Sequence, residues 1–181
     1  MNAASYCVFE TAIGACGIAW TSAPAVLFFQ FPEATAEATE RRLAKRCGGA
    51  KAGQPPALIT ALIERITRHL SGDLQDLSDT PLDLSKLNVF DRAVMQEAMR
   101  IPPGETRTYG DLAKAVGRPT EARAVGQVMA RNPIPLIVPC HRVVAANGGL
   151  GGFSAPGALR AKTRLLAIEK AKFPAVFDFP E

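Results

Sequence analysis

At 181 residues, 48% hydrophobic and 21% charged, the chain has the make-up of a globular protein. It has room for one compact domain or two small ones sharing an interface, and its core needs no staple of disulfides or metals. Residues 1–5 lack the basic and apolar regions of a secretory signal, and no apolar run approaches the ~18 residues of a membrane span, so a cytoplasmic location is expected. The net charge of +4 is unevenly divided. Residues 1–84 hold seven Lys/Arg against nine Asp/Glu, whereas residues 85–181 hold fourteen against eight, so the second half is the one suited to meet a polyanion.

In chain order, the runs 6–9, 16–21 and 26–31 are rich in β-branched and aromatic residues and read as strands, punctuated by Gly14, Gly17 and the turn at Pro24. Residues 34–46 and 57–70 have helical spacing; Leu58, Leu62, Ile66 and Leu70 recur every four positions. The polar stretch 71–83, containing Pro81, reads as a linker. A helix then runs from an Asn88 cap to Arg100 with Phe90, Val94, Ala98 and Ile101 as its apolar stripe, and Pro102-Pro103-Gly104 stops it. Thr108 and Asp111 have capping-box spacing at the head of a short helix, 111–116, closed by Gly117. Thr120 is expected to cap the next helix, which ends near Arg131. Two short helices across such a turn form a helix-turn-helix candidate. Residues 136–138 read as a buried, strand-like segment, and a glycine-rich loop, 147–152, precedes a last helix from about 158 to 170. The expected fold class is therefore α+β: a small mixed α/β first domain with linker (1–83), a mostly helical second domain (84–175), and a tail (176–181).

Of the four cysteines, Cys7, Cys16 and Cys47 read as small buried hydrophobes, with no CxxC pair and no common zinc spacing, even with His69 counted. Cys140 differs. In Pro139-Cys140-His141-Arg142-Val143 a thiol stands beside an imidazole, as a base-activated nucleophile requires, because the thiolate is the reactive form. Adjacent residues of an extended chain point to opposite sides, so this pairing needs a bent backbone or a bridging water. Taken alone, a buried cysteine beside a hydrogen-bonded histidine explains the dipeptide equally well.

The whole run 132–144, from Asn132 through Cys140 to Val144, resembles the active-site signature of the O6-alkylguanine-DNA alkyltransferases. The stretch 103–113, the run Ala122-Arg123-Ala124-Val125-Gly126 and the ending from Lys162 to Glu169 resemble the same family, in order and at similar spacing. The likeness covers residues 84–171 well and residues 1–83 only in general arrangement. It implies irreversible, single-turnover repair: an alkyl group passes from O6-alkylguanine, and from O4-alkylthymine, in DNA to Cys140, with no cofactor and no metal.

The resemblance also implies roles. His141 takes the thiol proton through a water, Glu169 orients the imidazole, and Tyr109 donates to the guanine ring as negative charge develops there. The carbonyls of Cys140 and Val143 read the exocyclic amine, the backbone N–H of Ser154 contacts O6, and Phe153 lines the site. A monomer is expected to bind double-stranded DNA through the minor groove and flip the damaged base out, because a base inside the duplex cannot reach a buried thiol. Arg123 fills the gap in the stack, the small Ala122, Ala124 and Gly126 let the helix approach the backbone, and Asn132 ties that helix to the active-site turn. The sequence departs from the family at Phe153, where many members have tyrosine, and in a loop around Pro156 about two residues longer. The competing readings are a non-catalytic alkyltransferase-like lesion binder, a helix-turn-helix regulator, and a thiol hydrolase. The lesion binders lack the acceptor cysteine, and no competing reading accounts for Tyr109, Arg123, Asn132 and Glu169 together.

Overall fold

A computed structural model describes residues 5–150 and 158–171. The chain divides into two compact units, Met1–Lys86 with Pro133–Ile137, and Leu87–Asn132 with Val138–Glu181.

The first unit is a four-stranded sheet with helices. Its strands are β1 (Ser5–Phe9), β2 (Cys16–Trp20), β3 (Val26–Gln30) and β4 (Lys51–Ala52), in the order β3-β2-β1-β4; β1, β2 and β3 are antiparallel and β4 runs parallel to β1. Every residue of β2 is buried, so this strand reads as a continuous apolar run and not as an alternation. Helix α1 (Ala36–Cys47) covers one face, where Leu43 and Cys47 pack on Tyr6, Ala19 and Leu27. Gly17 permits that approach, since a Cβ there would stand 2.7 Å from Leu43 Cδ2. Cys7 is only partly buried, against expectation: Tyr6 takes the α1-covered face of β1, and alternation turns Cys7 to the other. Helix α2 (Ala57–Leu70) buries Ile59, Leu62, Ile66 and Leu70, while Leu58 is exposed.

The stretch read as a linker is built into this unit. Leu82 bridges to Val26 in parallel, Val26 N–H donates to Pro81 O (2.8 Å), Asp83 N–H donates to Val26 O (2.9 Å), and Leu77 and Thr80 are buried. His69 is buried at the end of α2, where its Nδ1 accepts from Gln75 N–H (3.1 Å).

The second unit holds α3 (Val89–Met99), β5 (Arg107–Thr108), α4 (Tyr109–Ala115), α5 (Ala122–Ala130), β6 (Val143–Val144), parallel to β5, and α6 (Ala158–Ile168). Asn88 caps α3 by accepting from Asp91 N–H, and the capping box at α4 is complete, Thr108 Oγ1 accepting from Asp111 N–H and Asp111 Oδ2 from Thr108 N–H, both at 3.0 Å. Gly117 closes α4 at φ 72°, the left-handed region that favours glycine. Helices α3, α4 and α5 pack on one another, and α4 and α5 give the helix-turn-helix arrangement.

Two further local expectations fail. Thr120 is not the cap of α5: a turn closed by Glu121 N–H to Arg118 O puts Glu121 there, and its carbonyl takes the first helical bond from Val125 N–H. Residues 136–138 are buried as expected but do not form a strand, because Leu136 adopts φ 75° and turns the chain.

Candidate active site

Cys140 opens a 3₁₀ turn, Cys140–Arg142. Pro139, at φ −81° and ψ 65°, forms an inverse γ-turn closed by Cys140 N–H to Val138 O (2.8 Å), and Arg142 N–H then bonds to Pro139 O (2.9 Å). The backbone around the cysteine is therefore bent, which removes the objection that neighbouring side chains of an extended chain diverge.

The turn packs against α6. Lys162, Leu165, Leu166 and Glu169 are all buried, and their helical spacing places them on one face of α6 and its last turn. His141 Nε2 lies 2.9 Å from Glu169 Oε1, across 28 residues of sequence. Arg142 grips the same carboxylate, its Nε donating to Oε2 (3.0 Å) and Oε1 (3.2 Å) and its Nη2 to Oε1 (2.8 Å). Gly104 N–H adds a bond to Oε2 (3.3 Å), and Arg142 Nη1 donates to Ile101 O (2.6 Å). A carboxylate held by a guanidinium and a backbone N–H is ionised and can only accept. His141 Nε2 is then the protonated nitrogen, which leaves the lone pair of the neutral ring on Nδ1.

Cys140 is 5% exposed, and burial pushes its thiol pKa up. Opposing this are a hydrogen bond from the Asn132 side chain, the charge of Lys162 and the backbone N–H groups of Cys140 and His141. The resting group is a thiol that needs a base at the moment of reaction. Cys7 and Cys16 are pushed up to about 11 and about 12 by burial, and Cys47 is raised as well. Asn132, just past α5, also donates through Nδ2 to Val138 O (2.8 Å), joining the end of that helix to the strand of chain entering the turn.

Tyr109 begins α4 half-buried, its hydroxyl pKa raised by burial and then by Cys140. A Cβ on Gly126 would sit 3.8 Å from the Tyr109 ring, in ordinary contact. Helix α5 buries Val125, Val128 and Met129, leaves Arg123 exposed, and holds Ala122, Ala124 and Gly126 half-buried. Val143 is buried in β6. Phe153, Ser154 and Pro156 lie outside the described residues.

The sequence motifs assign no role to Arg142 or Lys162. The signal for Lys162 was available: its spacing from Leu165, Leu166 and Glu169 puts a cation and an anion at the two ends of one apolar stripe. Arg142 carried no such signal. Among the described residues, no group of three or more His, Cys, Asp or Glu could hold a metal ion, and no helix is long and apolar enough to cross a membrane.

Residues 89–171 match the family model for the 6-O-methylguanine DNA methyltransferase DNA-binding domain. A methylated-DNA–protein-cysteine methyltransferase of Mycobacterium bovis is 39% identical over 120 residues, 66% of this chain and 70% of that protein. The chain belongs to the methylated-DNA–protein-cysteine methyltransferase family. Two solved relatives cover more than nine-tenths of this chain. A crystal structure of Mycobacterium tuberculosis OGT in complex with DNA superposes with a TM-score of 0.73 at 31% identity, covering 92% of each chain. The O6-methylguanine-DNA methyltransferase of Pyrococcus kodakaraensis gives 0.63 at 32% identity, covering 91% of this chain and 98% of that one. Family membership and the described geometry agree on the α+β fold, with its mostly helical second unit.

Proposed function

We propose that this chain repairs DNA directly, moving an alkyl group from O6 of guanine, and from O4 of thymine, onto Cys140. The observation that carries the reading is the buried Cys140-His141-Glu169-Arg142 constellation in a chain of this family. The Cys140 sulfur attacks the alkyl carbon, the carbon–O6 bond breaks, and the electron pair leaves with the purine. His141 Nδ1 takes the thiol proton through a water, and the Glu169 carboxylate stabilises the imidazolium so formed. Tyr109 donates to the departing purine, and the carbonyls of Cys140 and Val143 accept from its exocyclic amine. Ser154 N–H and the Phe153 ring complete the substrate contacts.

A buried thiol demands an extruded base. Exposed Arg123 on α5 enters the stack as the base leaves, while Ala122, Ala124 and Gly126 admit the helix to the minor groove. Asn132 couples α5 to the turn that carries the thiol. The division of labour follows the chain: residues 84–175 carry DNA and accept the alkyl group, and residues 1–83 support them. The protein acts as a cytoplasmic monomer without a cofactor.

The product is a thioether, a poor leaving group, so each molecule acts once. Mass spectrometry after incubation with O6-methylguanine DNA tests this: one methyl substituent per chain, on a peptide containing Cys140, is expected. Repeated turnover, or methylation of Cys140→Ala to the same extent, refutes it.

A further inference from the structure

Lys162 is 1% exposed, yet carries an ammonium into the core of the second unit. Its Nζ donates to Val143 O at 2.5 Å and to Leu150 O at 2.6 Å, joining strand β6 to the loop that follows it. The same nitrogen lies 5.9 Å from the centroid of the Tyr109 ring, and its charge acts on the Cys140 thiol. Burial lowers the lysine pKa to about 8, so the ammonium is held there against its own desolvation. The Val143 carbonyl belongs to the peptide shared with Val144, in the short ladder that pairs Arg107 with Val143 and Thr108 with Val144, while the Val143 N–H bonds to Cys140 O. A carbonyl oxygen has two lone pairs. With one taken by Lys162, the direction of the second is set.

We propose that Lys162 is a positioning residue, aiming the Val143 carbonyl at the exocyclic amine of the extruded guanine and so setting the preference for purines that carry this amine. The inference rests on the alkyltransferase reading and deepens it. A purely electrostatic role, supporting the thiolate, would act on every alkylated purine alike; aiming a carbonyl acts only where there is an amine to meet.

The test measures single-turnover rates of the unsubstituted chain and of Lys162→Met on DNA containing O6-methylguanine or O6-methylhypoxanthine, which lacks the amine. The unsubstituted chain is expected to favour guanine by roughly 10-fold, the worth of one hydrogen bond in a dry site. Lys162→Met is expected to lose most of that ratio, the guanine rate falling further than the hypoxanthine rate. Equal slowing on both substrates overturns the proposal and leaves the function standing, as does the absence of any preference in the unsubstituted chain. No methyl on Cys140 of the unsubstituted chain overturns both. A second measurement needs no change at Lys162. Val143-Val144 is the one Val-Val pair in the chain, so valine labelled with ¹³C at the carbonyl and ¹⁵N at the amide gives a single correlated signal from the Val143 carbonyl. Recorded on Cys140→Ser, where that thiol cannot titrate, the signal should move as Lys162 loses its proton between about pH 7 and 9. A carbonyl that stays still across that range overturns the proposal.

Discussion

Replacing Arg142 by Met tests whether the carboxylate behind His141 depends on its guanidinium. The change removes the bonds from Nε and Nη2 to Glu169 and the bond from Nη1 to Ile101 O, in a site where the arginine is 4% and the glutamate 2% exposed. Glu169 keeps only Gly104 N–H and His141 Nε2 of the contacts described above. Removing one partner of a buried ion pair typically costs about 3–5 kcal/mol, because the remaining charge is uncompensated. At about 1.4 kcal/mol per decade, the unfolding constant should rise between roughly a hundredfold and several thousandfold. Urea unfolding followed by far-UV circular dichroism measures it. Fluorescence is the wrong probe, since Trp20, the single tryptophan, lies on β2 of the first unit. The double variant Arg142→Met/Glu169→Leu should be less destabilised than the two single losses added together, because it leaves no orphan charge. A loss below about 1 kcal/mol in Arg142→Met, the range of surface pairs, would refute the reasoning; so would simple additivity in the double variant.

Three further outcomes follow from the same geometry. His141→Ala should slow transfer by about 10²–10⁴-fold with lesion binding retained. Because burial raises the Cys140 thiol pKa, the thiolate is the minor form at neutral pH, and the rate of that variant should climb roughly tenfold per pH unit until the thiol ionises; a flat profile would remove His141 as the base. Arg123→Ala should slow repair of a well-paired duplex by about 10-fold or more, less on a mispaired or single-stranded substrate, and hardly at all on any free modified base that is accepted, whereas equal slowing everywhere excludes extrusion as its task. Gly104→Ala places a Cβ 3.2 Å from Glu169 O at φ +83°, so thermal unfolding should report a loss of about 1–2 kcal/mol, and an unchanged midpoint would mean that the backbone there relaxes freely.

The elements legible in the sequence are those whose cause is local. Asn88 and Asp91, or Thr108 and Asp111, are three residues apart, and a cap at that spacing closes whatever the rest of the chain does. The strands β1 to β3 and helix α2 were visible for the same reason, since period and turn residues act within one segment. Thr120 is a residue type suited to a cap, but it has no acidic partner three residues on, and a turn from Arg118 to Glu121 starts the helix one residue later. Cys140 and His141 stood out through the company they keep along the chain. Their surroundings did not. Glu169 is 28 residues from His141 and 65 from Gly104, Arg142 is 41 from Ile101, and Lys162 is 19 from Val143. Which buried carbonyl an ammonium reaches, and which guanidinium holds a carboxylate, are settled by how α6 packs on the turn at Cys140. Desolvation makes each of these charges costly until its partner arrives, and no segment of the chain carries that partner within its own few residues.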